Sequence, residues 1–250
     1  MKLRGYLTVA VVSVGLIACD LFQRSVITGL ARLLPARRIA ILSSWERLLA
    51  YFVIGSARRI GGARIPPPPT IPGQAGVLVL MNHQSLLDIP LVVMALRPHH
   101  PCIVTRARYA RGKPLISHMV RLYQYPVVEP GATGRHSLQR ITEAARESAV
   151  PFVVFPEGTR TRDGGIGPWK AGGLRRILRV RRWTVYLLVA DGYWRTATFT
   201  DFLQSVSTID GRAVSVGPFE GPEPGADPDA FIHEMREQMQ IALVGLRSRV

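Results

Sequence analysis

Two short blocks of this chain hold residue types that can do chemistry at a useful spacing. In Asn82-His83-Gln84-Ser85-Leu86-Leu87-Asp88 a histidine follows an apolar run, Val77 to Met81, and a carboxylate comes five residues later. A carboxylate that accepts a hydrogen bond from one imidazole nitrogen fixes the ring's tautomer and leaves the other nitrogen as a base. The first turn of a following helix can carry Asp88 back to His83. No Gly-x-Ser-x-Gly elbow occurs, so Ser85 reads as a cap of that helix and the nucleophile must come from the substrate. The second block is Phe155-Pro156-Glu157-Gly158-Thr159-Arg160-Thr161-Arg162, which opens a loop with Gly164, Gly165 and Gly167. Glycines let backbone approach a ligand, and Arg160 offers a planar fork of donors suited to phosphate. Taken alone, this block reads first as a polar turn with an incidental arginine.

The elements that must position these blocks alternate in type. Val77 to Met81 reads as a buried strand and Ser85 to Leu96 as a helix that tolerates Pro90 near its start. Pro101 to Thr105, Tyr125 to Val128, Val150 to Phe155, Val185 to Ala190 and Ala213 to Val216 read as strands. Pro114 to Leu122, Gly134 to Ser148, Leu174 to Val180 and Pro228 to Leu246 read as helices. This alternation predicts an α/β fold, a largely parallel or mixed sheet covered by helices on both faces, with its site at the carboxyl ends of the strands. His99-His100, between two prolines, reads as a solvated loop.

Upstream, Pro66 to Pro69, flanked by Gly61-Gly62 and Pro72-Gly73, is too stiff and donor-poor for a helix or central strand. It predicts a linker over residues 61–75 between an N-terminal segment, 1–60, and a catalytic domain, 76–250. The apolar run from Tyr6 to Cys19 is followed by Asp20, which is read as its stop. That makes it shorter than the roughly 18 to 20 residues a spanning helix needs, and its length also suits a cleaved signal core. Leu21 to Leu34 and Ile39 to Ile60 continue as basic amphipathic stretches meeting at Pro35. The pattern predicts an N-terminal two-helix membrane-binding motif; the plainer alternative is a pair of helices packed on the core.

The 250 residues are 47% hydrophobic and 20% charged, a globular composition able to bury a core. A net charge of +15 predicts attraction to phosphates. Basic residues recur beside apolar segments, as in Ala36-Arg37-Arg38 and Ala57-Arg58-Arg59, and no aromatic-rich basic motif occurs. The expected partner is therefore membrane lipid and not nucleic acid. Two cysteines, Cys19 and Cys102, make no disulfide framework and fit a reducing compartment. The absence of Cys-x-x-Cys and His-Glu-x-x-His removes the strong zinc signatures, so neither a metal nor a redox cofactor is implied.

Together the blocks resemble the NHxxxxD and FPEGTR signatures of the glycerolipid acyltransferases typified by 1-acylglycerol-3-phosphate acyltransferase. The resemblance covers roughly Val77 to Val216. It implies that His83 is a general base and Asp88 its orienting partner. It also implies that Glu157, Gly158 and Thr159 belong to the acceptor site and that Arg160 contacts the acceptor phosphate. Arg106 stands where the family often has a phosphate-binding lysine. Two departures bear on the substrate. The second block reads Tyr125-Pro126-Val127-Val128-Glu129-Pro130, with an acid in place of the usual arginine, so either Arg135 takes over that contact or the acceptor differs. The fourth block, Val185 to Ala190, lacks its usual inner proline.

The implied reaction moves a fatty acyl group from acyl-CoA or an acyl carrier protein to the hydroxyl of a lysophospholipid, with 1-acylglycerol-3-phosphate the first candidate and phosphatidate its product. The implied setting is a membrane surface with the site facing the cytoplasm, held monotopically or by a single N-terminal anchor. Competing readings are acylation of another lipid-like acceptor, hydrolysis by a phosphatase or esterase, and a non-catalytic lipid binder.

Overall fold

The computed structural model describes residues 2–129 and 134–248, the Arg135 side chain excepted. Helix α1 (Lys2–Phe22) passes through a π-helical turn at Gln23–Ile27 into α2 (Thr28–Leu33), making one continuous rod. Asp20 does not stop it. Its carboxylate accepts from Arg24 Nε at 3.0 Å, a pair one turn apart that balances the charge within the helix. The expectation of a short apolar run is thus corrected: at 32 residues, Lys2–Leu33 is long and apolar enough to cross a membrane. The break falls at Leu34 (φ −121°, ψ 64°), because the ring of Pro35 disfavours helical backbone in the residue before it.

Helix α3 (Arg38–Arg59) runs back along this rod, with Phe22 packed on Trp45 at 5.3 Å between ring centroids and Phe52 lying over Gly15. It buries Leu42, Trp45, Leu49, Ile54 and Ala57, a helical stripe continuous with the main core. Helix α1 is different, burying only Gly5 and Thr8. Gly5 lies against the carbonyl of Leu203 so closely that no side chain would fit between them. Outward, Leu3, Leu7, Val14, Ile17 and Leu21 form one apolar stripe, each residue between 48% and 70% exposed.

The rest of the chain supplies β1 (Ile71–Gly73), β2 (Val77–Met81), α4 (Asp88–Ala95), β3 (Leu96–Pro98), β4 (Cys102–Ile103), β5 (Thr105–Arg106), α5 (Ile116–Leu122), β6 (Val127–Val128), α6 (Gly134–Glu147) and β7 (Phe152–Val154). It then supplies α7 (Ala171–Val180), β8 (Thr184–Asp191), α8 (Phe199–Ser205), β9 (Arg212–Glu220) and α9 (Asp229–Arg247). The main sheet has the order β4-β7-β2-β8-β9, parallel except for antiparallel β9. It is a mixed sheet flanked by helices. All five residues of central β2 are buried, as expected of a strand covered on both faces. Two small parallel pairs, β1 with β3 and β5 with β6, lie outside it.

Helix α3 is held to the core through a polar patch. The Tyr123 hydroxyl donates to the Leu42 carbonyl at 2.9 Å, and the Tyr125 hydroxyl to Glu46 Oε1 at 2.7 Å. His100 is buried with Nδ1 2.9 Å from Ser43 Oγ, which corrects its reading as solvated loop. Burial first, then its charged neighbours, lower its pKa to about 4, so the ring is neutral. Burial also pushes the Glu46 carboxyl up to about 8, against the Tyr125 hydrogen bond and the Arg47 charge that lower it. A folded value above the unfolded one means that Glu46 stabilises the fold at acid pH and loses that contribution as pH rises from the ordinary glutamate range through about 8. Glu46→Gln, uncharged throughout, is expected to flatten the fall in stability between pH ~5 and pH ~8, a difference on the order of a few kcal/mol across that window. Equal slopes for both proteins in thermal melts would rule Glu46 out as the titrating group.

Candidate active site

The carboxyl ends of β2, β7 and β8 meet at one edge of the sheet, and the sequence blocks occupy the first two. Asn82 ends β2 by exchanging two hydrogen bonds with Ala190 of β8, donating Nδ2 to its carbonyl and accepting from its amide, both at 2.8 Å. The buried asparagine thus extends the β2–β8 pairing by one step and turns the chain out toward His83. The turn that follows is tight, and α4 begins only at Asp88, not at Ser85. Ser85 is no N-cap of α4. Its hydroxyl is buried 2.9 Å from Thr196 Oγ1 and accepts from the Leu87 amide at 3.2 Å. The carboxylate closing the turn belongs to Asp88.

Asp88 Oδ2 accepts three hydrogen bonds, from His83 Nδ1 at 2.7 Å, the Gln84 amide at 2.7 Å and the Ser85 amide at 2.8 Å. The two amides fix the carboxylate, and the carboxylate fixes the imidazole. Phe155 packs against the His83 ring with centroids 4.5 Å apart. Asp88 is fully buried while the His83 side chain is 16% exposed, so the pair has a dry end and an open end. With Nδ1 donating to Asp88, Nε2 is the basic nitrogen and has no protein hydrogen-bond partner among the described residues.

Glu157 joins the two blocks. Its Oε1 accepts from the His83 amide at 2.9 Å and its Oε2 from the Gly167 amide at 2.8 Å. Burial raises its pKa and outweighs the two amide bonds that lower it. Gly158 has φ +64° and lies under the stem of Lys170, a position where a side chain would be strained and crowded. Arg106, on β5, donates to the Gly158 carbonyl. Arg160 donates to the Ala197 carbonyl at 2.9 Å and also bears on the Tyr109 hydroxyl. Its fork is therefore partly engaged by the protein. Thr159 is exposed at the mouth of a cleft of about 250 Å³ that Glu157, Arg160, Gly167, Trp169 and Lys170 help to line. His83 does not line this cleft but touches it through Glu157.

Arg135, weighed as a replacement for the arginine missing from the second block, lies in the first turn of α6, and its side chain is outside the described residues, as is Pro130. The second block itself carries Tyr125, which anchors α3. Sequence patterning gives no signal for Gln84 or Asp191, and for Lys170 only the glycines around it.

A family model described as Acyltransferase matches residues 64–188, half of the chain, and spans both blocks. The chain belongs to the acyltransferase family. Among solved structures, this acyltransferase resembles the 1-acyl-sn-glycerophosphate acyltransferase PlsC from Thermotoga maritima, with a TM-score of 0.59 over 96% of this chain and 98% of that one. The identity is 15%, so the likeness is one of fold. No curated protein matches the acyltransferase in sequence.

Proposed function

We propose that this acyltransferase transfers a fatty acyl group from an acyl thioester, acyl-CoA or an acyl carrier protein, to the hydroxyl of a lysophospholipid, with 1-acylglycerol-3-phosphate as first candidate and phosphatidate as product. The observation that carries this reading is the His83–Asp88 pair, with Nε2 open and, among the described residues, no serine, threonine or cysteine side chain hydrogen-bonded to the His83 ring. Nε2 takes the hydroxyl proton as the acceptor oxygen bonds to the thioester carbonyl carbon. The tetrahedral adduct then collapses, the C–S bond breaks, and the thiolate leaves and is protonated by the imidazolium. A thiol with a pKa near ~8.5 leaves readily, so activation of the alcohol is the harder task and the one this pair suits.

Arg106, Arg160 and Lys170 set positive charge around Gly158, suited to an acceptor phosphate, with Glu157, Gly158 and Thr159 shaping that side of the site. Among the described residues Arg160 keeps Nε without a partner while Nη1 holds the Ala197 carbonyl, so it can bind a phosphate without giving up that bond. The apolar stripe of α1 suits an interfacial position in which the site meets a lipid without extracting it whole. Arginines beside it favour anionic lipid, and the cytoplasmic leaflet is the face this reading assigns.

Purified protein in anionic vesicles, given acyl-CoA or acyl carrier protein thioester and a panel of lysolipids, is expected to make phosphatidate from 1-acylglycerol-3-phosphate, read by mass spectrometry. Diacyl product from another lysolipid alone would move the acceptor assignment. Free fatty acid without a diacyl product would replace transfer by hydrolysis. Lipid binding with no product from any pair would leave a non-catalytic lipid binder.

A further inference from the structure

One polar hub outside the cleft ties the C-terminal helix to the catalytic turn. Arg247, in the last turn of α9, donates Nε to Asp191 Oδ2 at 2.9 Å and Nη2 to Asp191 Oδ1 at 2.8 Å, a two-pronged pair at the end of β8. The same Nη2 donates to the Gly164 carbonyl at 2.8 Å, in the middle of the loop after the second block. From inside, the fully buried Gln84 reaches the same two groups, donating Nε2 to Gly164 O at 3.2 Å and to Asp191 Oδ1 at 3.3 Å, while its Oε1 accepts from the Tyr193 amide at 3.2 Å. Burial raises the Asp191 pKa, but the Arg247 and Gln84 hydrogen bonds outweigh it and hold the carboxylate ionised.

What the hub holds bears directly on His83. The Gln84 amide is one of the two that fix Asp88. The loop that Arg247 grips at Gly164 is pinned on either side to the catalytic segment, by the Thr161 amide on the His83 carbonyl at 2.8 Å and by the Gly167 amide on Glu157. Among these attachments the Arg247 contact comes from farthest along the chain, and it is partly exposed, with 44% of the Arg247 side chain open to solvent.

We propose that Arg247 is a positioning residue: through Asp191, Gly164 and Gln84 it clamps the Thr161–Gly167 loop and the His83–Asp88 turn in one arrangement. The inference rests on the acyltransferase reading of His83 for its effect on rate, but the clamp itself does not. It makes the end of α9 part of the catalytic apparatus although, among the described residues, Arg247 hydrogen-bonds to Asp191 and Gly164 and to neither His83 nor Asp88.

The test compares full-length wild type with Arg247→Ala, Arg247→Lys and Asp191→Asn. Amide hydrogen exchange is read without substrate, and kcat and KM are read on whichever acceptor the wild type uses. For Arg247→Ala, exchange across residues 161–167 is expected to accelerate at least ~10-fold, with β2 and β8 amides unchanged. Its kcat is expected to fall about 10-fold, because small misplacement of a base is costly. Arg247→Lys, which keeps the charge without the two-pronged geometry, is expected to fall between. Asp191→Asn is expected to reproduce most of the effect and to add little on top of Arg247→Ala. Unchanged loop exchange would overturn the clamp, and acceleration across the whole sheet would make Arg247 a general stabiliser instead. Altered loop exchange with unchanged kcat would overturn the positioning role. A wild type inactive on every acceptor would sink the acyltransfer reading while the exchange arm still judged the clamp.

Discussion

His83→Ala is expected to lower acyl transfer by roughly 10²- to 10⁴-fold, the range that general-base assistance supplies, with little change in acceptor KM. The imidazole forms no part of the core, and only its Nδ1 bond to Asp88 and its stacking on Phe155 are lost. The folded state should therefore persist, which circular dichroism and thermal melts would check. Asp88→Asn should show how the base is held. The asparagine carbonyl can still accept from the Gln84 and Ser85 amides, so the turn should survive, but the charge that stabilises the imidazolium is gone. A loss comparable to that of His83→Ala is expected. Transfer within about 3-fold of wild type in His83→Ala would remove the histidine from the mechanism and leave orientation alone to account for the rate.

A second large effect is expected at the other end of the molecule. Leu7, Val14 and Leu21 stand on the exposed apolar stripe of α1, and none is part of the core. Burying a side chain of this size in an apolar phase is worth roughly 1.5 to 3 kcal/mol, so replacing all three with glutamate should cut partitioning into anionic vesicles by at least ~10²-fold. The substituted side chains point away from the protein, so helix content and melting temperature are expected to change little. Vesicle co-sedimentation reads the result. A triple variant that sediments like wild type would show that α1 is not the membrane-contacting face. Loss of sedimentation with intact transfer to a short-chain, water-soluble acceptor would separate membrane docking from chemistry.

Much of this architecture is legible in the sequence because it is local. His83 and Asp88 are five residues apart, and one turn suffices to join them. The buried strands Val77 to Met81 and Val185 to Ala190 are short apolar runs between turn residues, and the helices after Gly134 and Pro228 carry a 3.6-residue period. Two of the departures from expectation are local as well. Asp20 reads as a helix stop because a charge interrupts an apolar run, yet a partner four residues on lets the helix continue. Ser85 reads as a cap because capping residues precede helices, whereas the nearby Asp88 closes the turn.

Residue type and order alone carry the chemical signature: a histidine with an acid one turn away, two blocks that mark an acyltransferase, and an alternation that makes an α/β sheet. Folding chooses the company these residues keep. Glu157 grips the amide of His83, Tyr125 serves the N-terminal hairpin, and Arg247 reaches the catalytic turn from the far end of the chain. The reason is the strand order β4-β7-β2-β8-β9, which makes neighbours of segments distant in sequence. Periodicity and spacing report which way a residue faces within its own element, but its partner across the sheet is chosen only when the crossovers are made.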